Sequence, residues 1–217
     1  MFIPKTFRQD NIEACLALMQ QYPFVTLVAQ SEVGVEVYHL PVLLKPNGES
    51  WLLQGHIAKA NPLWQKVTTG SQVQVIFNGP NCYISPNHYP TKAEDGRGVP
   101  TWNYAVVHVQ GNIHFTRDHD WIMACIEELT SIHEAGSATP WTFDEAPEGY
   151  IERMLPAIVG IEIDITSIQG KWKLSQNQPV VNQQGVINGL NQLSPQSQQV
   201  AVMVDEAMVK AAKKASQ

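Results

Sequence analysis

The sequence predicts a mainly β protein with helices, built on a closed, antiparallel, Greek-key-like barrel. Seven or so segments rich in β-branched and aromatic residues are separated by turn residues, which is typical of short barrel strands. Helical patterns interrupt these segments irregularly, so a parallel βαβ fold is disfavoured. The Gly-x-Gly-x-x-Gly fingerprint of dinucleotide-binding folds is absent from the sequence.

The first third of the chain predicts a helix followed by a meander of strands. Apolar residues at helical spacing predict a helix over 10–21, with Asp10 as N-cap and Pro23 after its end. Strands are predicted at 24–29, 33–44 and 51–56, and the last two flank a Pro-Asn-Gly turn. A second helix is predicted over 61–69, with Asn61 as N-cap and Pro62 in its first turn.

The middle of the chain predicts a long loop between two strands. A strand is predicted at 73–77 and a longer one at 103–116, where Trp, Tyr and β-branched residues are frequent. Between them, residues 78–101 are rich in Pro, Gly and Asn, with one short strand near Tyr83 and a flexible tip at 91–98. Such a long loop in a compact domain is usually functional or mobile.

The last third predicts mostly helices. Asp118 is expected to cap a helix with one apolar face, and a short helix is expected near 150–155. A final strand is predicted at 158–168, and two further helices at 182–193 and after Pro195. The apolar stripe of the last helix suits core or dimer packing. We therefore expect a barrel domain at 1–180 and a helical extension at 181–217, packed on the barrel or on a dimer partner.

Composition limits the classes of function. Of 217 residues, 44% are hydrophobic and only 16% are charged, so the chain is globular. The net charge of −6 and the lack of a Lys and Arg run argue against direct DNA binding. The odd number of cysteines and their wide spacing indicate free buried thiols. Without a signal peptide or a long apolar run, we expect a cytoplasmic protein that does not span a membrane.

The segment Trp102-Asn103-Tyr104 suits a flat aromatic ligand. Trp and Tyr can cover a ring face, and the Asn amide can donate and accept hydrogen bonds at a polar ring edge. The alternative is a barrel strand capped by aromatic residues, without any ligand.

Five further motifs accompany this segment in order. They are Phe2-Ile3-Pro4, His39-Leu40-Pro41, the run Gly55–Trp64, Tyr83-Ile84-Ser85-Pro86, and the run Gly170–Asn177. Together they resemble the PaiB-type FMN-binding family of bacterial proteins, often labelled negative transcriptional regulators. The resemblance covers about residues 1–190. It implies a flavin-binding split β-barrel, usually a homodimer with the flavin at the subunit interface, and it includes Ser85 among the candidate contacts.

Lys59 and His56 are candidates for binding the phosphate of FMN, which carries about two negative charges at neutral pH. Lys59 follows a predicted strand and precedes a predicted helix start, and His56 lies three residues earlier. The resemblance adds that split-barrel flavoproteins often place a basic residue just after this kind of strand. The alternative is a surface lysine beside a well-capped helix.

Lys171 and Lys173 are a second pair of basic candidates. In an extended segment they share one side while Trp172 takes the other, and Ser175 and Gln176 add short hydrogen-bonding groups. In the family this motif is a signature near the ligand; otherwise it is a solvated turn with the Trp in the core. His39, inside a strand expected to be half-buried, could contact the ring or the ribityl chain, or be an interior histidine.

The sequence leaves the kind of activity open. None of the seven histidines forms a His-x-x-x-His pair, so no metal site is expected; haem competes with FMN because related split barrels bind it. No nucleophile or P-loop signature is found, so a cofactor would carry any chemistry. The alternatives are an FMN-binding regulator, a flavin-dependent oxidoreductase using a nicotinamide or another small substrate, and a haem-binding barrel. The uncharged run 178–184 departs from the family, whose members often carry charges there.

Overall fold

The computed structural model, which describes residues 1–215, contains an eight-stranded antiparallel sheet and seven α-helices among those residues. The strands are β1 (Arg8–Gln9), β2 (Phe24–Ser31), β3 (Gly34–Pro41), β4 (Leu43–Asn47), β5 (Ser50–Ala58), β6 (Gln72–Ile84), β7 (Thr101–Thr116) and β8 (Ile158–Lys173). Their order is β3-β2-β6-β7-β8-β5-β4, and β1 pairs with β8. The mainly β, antiparallel architecture predicted from the sequence is confirmed, but the sheet is open, with β3 and β4 at its ends.

The helices are α1 (Ile12–Gln21), α2 (Leu63–Lys66), α3 (Lys92–Asp95), α4 (His119–Glu134), α5 (Tyr150–Met154), α6 (Val180–Leu190) and α7 (Pro195–Ala215). The Asp118 side chain accepts the Trp121 backbone N–H at 2.8 Å, which confirms it as the cap of α4. The predicted cap of α1 is wrong. Asn11 Oδ1, and not Asp10, accepts the Ala14 N–H at 2.8 Å.

Helix α2 is shorter than the sequence predicts. It spans four residues, its N-cap is Pro62, and Val67 is already extended at φ −112° and ψ 121°. The three β-branched residues that follow Lys66 disfavour continued helix, because branching at Cβ restricts the side chain against the preceding turn. Asn61 still bonds locally, since its Oδ1 accepts the Leu63 N–H at 3.0 Å.

Two strands are longer than predicted. β6 runs through the Asn-Gly-Pro-Asn sequence at 78–81, where a loop was expected, and ends at Ile84. Buried and more exposed residues alternate along β6, except that the consecutive residues Gly79 and Pro80 are both buried. Such a break in the alternation is typical of a β-bulge. β8 runs to Lys173, so both candidate lysines of the last motif belong to a strand.

The described chain divides into two compact units. Unit 1 comprises 1–15, 78–107 and 169–217, and unit 2 comprises 16–77 and 108–168. In unit 1, α6 and α7 pack on the end of β6 in one apolar cluster that includes Ile84, Leu174 and Leu190. In unit 2, Leu27, Leu53, Val75, Phe77 and Ile163 of the sheet are almost wholly buried. The predicted domain boundary at residue 180, between the barrel domain and the helical extension, stays a prediction.

The three cysteines are free and buried, as the sequence predicts. Burial raises the pKa of the Cys15, Cys82 and Cys125 thiols to about 11. Among the described residues, the longest helices are too short or too polar to cross a lipid bilayer.

Candidate functional site

A groove of about 330 Å³ lies in unit 1 between residues of β6 and the first residues of β7. Its lining residues are Asn78, Gly79, Asn81, Trp102, Tyr104, Ala105 and Val106. Two aromatic rings and two amides in one groove suit a flat heteroaromatic ligand, which needs face cover and polar contacts at its edge. The predicted ligand-binding aromatics of β7 therefore line a real concavity.

Trp102 is held by its neighbours while its ring stays accessible. Its Nε1–H donates to Asn81 Oδ1 at 3.2 Å, and its ring lies edge-on to Tyr83 with 6.2 Å between centroids. Trp102 and Tyr83 are nevertheless 49% and 50% exposed. Large aromatic side chains that are fixed but solvent-exposed are typical of a surface that a ligand or partner covers.

Asn103 is fully buried, and its neighbours in the sequence, Trp102 and Tyr104, line the groove. Its Nδ2–H donates to Ser175 Oγ at 2.9 Å, but its Oδ1 has no hydrogen-bond partner among the described residues. A buried acceptor without a donor costs about 1–3 kcal/mol. Ser175 has φ +64°, a left-handed conformation that non-glycine residues rarely adopt. The structure thus holds a strained residue and an unsatisfied acceptor at one point of unit 1.

The two lysines of β8 contact the first residues of β7. Lys171 Nζ lies over the Tyr104 ring at 5.1 Å from its centroid, within the range of a cation–π interaction. Lys173 Nζ donates to Thr101 Oγ1 at 2.5 Å and to the Trp102 carbonyl at 2.7 Å. Burial, and then the charge of Lys171, lower the pKa of Lys173. Trp172 packs instead on the apolar cluster of unit 1, so the expected alternation of side chains is confirmed.

Ser85 and Gln176 have local structural partners. Ser85 Oγ accepts the Asn87 N–H at 3.2 Å and caps the short 3₁₀ turn Pro86–His88. Gln176 Oε1 accepts the Leu174 N–H at 2.7 Å, and its Nε2–H donates to the Trp172 carbonyl at 2.7 Å. Gln176 therefore ends β8 by bonding to backbone groups that a neighbouring strand would otherwise satisfy.

The candidates of unit 2 are described separately. His56 Nδ1 is buried and has no hydrogen-bond partner among the described residues, and burial lowers the pKa of this imidazole. Its strand partner is Gly160, on which Trp121 of α4 packs so closely that a Cβ would overlap the ring. Lys59 is exposed, and its backbone bonds to Ala157. Because α2 is so short, Lys59 would bind a phosphate through its own charge and not through a helix dipole.

His39 lies on an uncharged face of unit 2 and is exposed, so the alternative of an interior histidine is wrong. Its Nδ1 is 3.2 Å from Thr26 Oγ1, and its ring stacks with Phe24 at 6.3 Å. We call this surface the uncharged face; it contains Phe24, Thr26, Val28, Gln30, Val35, Val37, His39, Gln74, Ile76, His108 and Gln110. Phe24, Val35 and Val37 are 66%, 66% and 53% exposed. A patch this apolar on a sheet surface usually meets a partner.

Asn78 and Asn81 are groove residues that the sequence does not single out for this purpose. The Asn-Gly-Pro-Asn sequence is typical of a turn, so these residues were assigned to a loop. The buried Pro80 and the continuation of β6 place them instead along a strand beside Trp102. The short strand predicted near Tyr83, two residues after Asn81, is the signal from which this continuation of β6 could have been inferred.

Solved structures define the class of fold. The flavocytochrome Anf3 from Azotobacter vinelandii matches with a TM-score of 0.57 at 10% identity, over 76% of this chain and 69% of that one. The FAD and heme binding protein from Mycobacterium smegmatis matches with a TM-score of 0.50 at 12% identity, over 76% and 73% of the two chains. At such low identity these matches establish the fold alone, which is that of the flavin split-barrel proteins.

Sequence comparison then establishes the family. The model described as "Putative FMN-binding domain" matches residues 1–167. The protease synthase and sporulation protein PAI 2 of Bacillus subtilis is 31% identical over 214 residues, which cover 97% of this chain and 99% of that protein. The chain belongs to this FMN-binding family, and the PaiB-type resemblance of its motifs is confirmed. FMN is accordingly its cofactor by family membership.

Proposed function

We propose that the protein binds FMN with the isoalloxazine ring in the groove of unit 1. The single observation that carries this proposal is the exposure of Trp102, which is 49% accessible in the groove although Asn81 holds its ring in place. A flat heteroaromatic ring can stack on such a fixed, exposed aromatic surface. Trp102 and Tyr104 would cover the ring, and Asn81 would contact its edge.

Lys171 is the residue that would tune the flavin electrostatically. A bound flavin supplies redox chemistry, and its pyrimidine end becomes more negative on reduction. Lys171 Nζ already lies over Tyr104 at the groove, and Lys173 beside it fixes the Trp102 backbone. Asn103, Ser175, Gln176 and Ser85 would act by holding this arrangement. In this proposal the lysines orient and stabilise the ring, while the hydrogen-bonded residues keep the groove in shape.

For unit 2 we propose a separate role in binding the anionic and hydroxyl groups of an FMN molecule. His56 Nδ1 is a second buried polar atom without a partner among the described residues, and Lys59 is an exposed cation three residues later. A neutral imidazole can exchange hydrogen bonds with a ribityl hydroxyl or a phosphate oxygen. His39 belongs to the uncharged face, where we propose that it contacts the flavin of a dimer.

The uncharged face supports the proposed homodimer. Unit 2 contains five basic and fourteen acidic residues, a net charge of −9, so two copies would repel each other over most of its surface. The face formed by β3, β2 and β6 lacks charged side chains among its named members and exposes Phe24, Val35 and Val37. An apolar patch of one unit can meet the same patch of a second copy across a two-fold axis.

The function we propose is that of an FMN-binding regulator of the PaiB type. The Bacillus relative, whose name refers to protease synthesis and sporulation, supports a regulatory role. A flavin-dependent oxidoreductase is the second candidate, favoured by the exposure of Trp102, because a ring bound there stays within reach of a small substrate. We propose the cytoplasm as its location and expect DNA contact, if regulation requires it, through another protein.

The first experiment is a visible absorption spectrum of the purified protein, with mass spectrometry of the released ligand. Flavin bands with the mass of FMN, or uptake of added FMN by colourless protein, are the expected result. A Soret band would identify haem instead, and a protein that neither contains nor takes up FMN would refute the proposal. Adding reduced nicotinamide then separates the two candidates, since only an oxidoreductase that uses this donor bleaches the bound flavin in repeated turnovers.

A further inference from the structure

The loop between β6 and β7, residues 85–100, leaves and re-enters the sheet beside the proposed flavin groove. Tyr83 precedes the loop and Trp102 follows it, and their rings meet edge to face. The loop is folded on itself. Lys92 Nζ donates to Asn87 Oδ1 at 2.7 Å, and a Cβ on Gly98 would lie 3.3 Å from Pro86. The loop thus joins the ends of the two neighbouring strands that carry these aromatic rings.

Asn182 of α6 fastens the loop through Thr91. The Thr91 hydroxyl donates to Asn182 Oδ1 at 3.1 Å and accepts from Nδ2 at 2.9 Å, and the Thr91 N–H also approaches Oδ1 at 3.3 Å. Asn182 Nδ2 is 3.3 Å from Gln178 Oε1 as well. Asn182 is only 4% exposed, so every atom of its amide is committed inside the protein. A buried amide satisfied this completely is an anchor of defined geometry.

Two glycines of α6 allow the loop to pack closely against this helix. A Cβ on Gly185 would overlap the His88 carbonyl oxygen, and a Cβ on Gly189 would overlap the His88 imidazole. These positions are one helical turn apart and so lie on one face of α6. The same helix presents Val186, Ile187 and Leu190 to the apolar cluster of unit 1. Helix α6 is thus held by the core and in turn holds the loop.

We propose that Asn182 is a positioning residue of the flavin groove, which it orders by anchoring the loop 85–100. The inference rests on the proposed function for its ligand and on the contacts of Asn182 for its mechanism. Asn182 lies outside the groove lining, and it acts by limiting the angles available to Trp102 against Tyr83. Loss of the anchor frees the loop and weakens FMN binding, although the groove keeps all its side chains.

The test compares Asn182→Leu and Thr91→Val with the wild-type protein. Leu fills the space of Asn182 without its hydrogen bonds, and Val replaces only the Thr91 hydroxyl by a methyl group. Lys92 and Arg97 lie in the loop, so limited trypsin digestion with mass spectrometry reports its opening. FMN affinity is measured by quenching of flavin fluorescence, and the Tm of each variant is recorded. We expect both variants to be cut faster at these two sites and to bind FMN at least about fivefold more weakly.

Two controls sharpen the result. Asn188→Ala removes an exposed amide from the same helix, whose Oδ1 accepts a hydrogen bond from Gln184 Nε2, and it should change neither digestion nor affinity. Thr91→Ser restores the hydroxyl and should restore both readouts. The double variant should lose no more affinity than Asn182→Leu alone, since both substitutions remove the same contact. If Asn182→Leu does not fold, the comparison of Thr91→Val with Thr91→Ser tests the proposal instead.

Three outcomes would overturn the inference. Faster cleavage with FMN affinity within twofold of wild type would show that the loop is anchored but does not position the groove. Unchanged cleavage in both variants would show that Asn182 is not the anchor. A wild-type protein that binds no FMN would refute the proposed function and the positioning role together, and the digestion would still show whether the anchor exists.

Discussion

Unit 1 and unit 2 carry charges of opposite sign. Unit 1 has nine basic and six acidic residues, a net charge of +3, whereas unit 2 has five basic and fourteen acidic residues, a net charge of −9. The whole-chain value of −6 averages over this contrast. An argument from net charge against anionic ligands therefore does not apply to unit 1, where the groove and its two lysines lie, and in unit 2 the proposed phosphate contact depends on the local charge of Lys59.

The two units also differ in how their candidate residues are held. In unit 1, Lys173, Gln176 and Ser85 all bond to nearby backbone or side chains, and Trp102 is fixed by Asn81. In unit 2, Lys59 is exposed and the buried Nδ1 of His56 has no partner among the described residues. Preorganised groups lose less entropy on binding. If the proposed FMN site is correct, the ring would meet preorganised groups in unit 1, and the contacts of unit 2 would become ordered with the ligand or a second subunit.

The largest effect is expected from a charge placed on the uncharged face. Val37→Lys should weaken the proposed dimer by about 100-fold or more, because its two-fold axis would bring each new lysine onto an apolar surface at a cost of about 3 kcal/mol or more. Val202→Lys on α7 is the matched control, since Val202 is 58% exposed in unit 1. Sedimentation equilibrium measures both. A dimer that survives Val37→Lys but dissociates in Val202→Lys would assign the interface to unit 1.

The next effect tests which unit covers the ring. Trp102→Ala should weaken FMN binding by about 1–3 kcal/mol, roughly 5- to 150-fold, because an aromatic platform is removed. Trp141→Ala removes a Trp of unit 2 that is 39% exposed and contacts Phe143, and it should leave the affinity unchanged. Fluorescence titration gives both dissociation constants. Equal affinities for wild type and Trp102→Ala would exclude the groove as the ring site.

A smaller effect is expected from the lysine over Tyr104. Lys171→Met keeps the length of the side chain but removes a positive charge that, in the proposed site, would stabilise the reduced, more negative flavin. A loss of about 0.5–1 kcal/mol corresponds to a midpoint potential lower by roughly 10–20 mV for a two-electron couple. Lys210→Met on α7 is the control. An unchanged potential in Lys171→Met, determined by spectroelectrochemistry, would place the lysine away from the ring.

The smallest effect concerns His56 and the pH dependence of stability. Burial lowers the pKa of His56 in the folded protein, so the unfolded chain takes up a proton first as the pH falls below about 6.5. Unfolding is thereby favoured, and the free energy of unfolding decreases from pH 7 toward pH 5. His56→Gln should make this decrease shallower in urea titrations. His108→Gln should act in the same direction, because burial also lowers the pKa of His108.

A steeper pH dependence in His56→Gln than in wild type would contradict the assignment of a buried, neutral imidazole. Added FMN sharpens the test. If His56 binds the cofactor in its neutral form, saturating FMN should widen the difference between wild type and variant, since a ligand adds stability only to the form that binds it.

Much of the fold could be predicted from local patterns. The cap and apolar face of α4 and the presence of strands β2 and β7 depend on neighbouring residues, and these predictions are confirmed. The length of β6 could not be predicted, because a buried Pro80 inside a strand depends on sheet contacts that override its turn preference. The helix predicted over 61–69 is too long, because the prediction did not take account of the β-branched residues after Lys66 that end α2.

The candidate site was predicted in part. Trp102, Tyr104 and Lys171 could be identified from residue type and spacing, and they lie close together in unit 1. The burial of Asn103 and the structural partners of Ser85 and Gln176 could not be predicted, because hydrogen bonding across 72 positions, as from Asn103 to Ser175, is set by the packing of β7 against the end of β8. Whether each residue contacts FMN stays a prediction.

The buried thiols make the protein easy to label. Only the thiolate reacts with maleimide or iodoacetamide, and with pKa values of about 11 and little exposed surface the three native cysteines are poor targets at neutral pH. A new cysteine at an exposed position such as Asn188 would therefore be modified selectively in the otherwise unaltered chain. Fluorophores or spin labels could then be attached without first replacing Cys15, Cys82 or Cys125, whose side chains help to fill the interior.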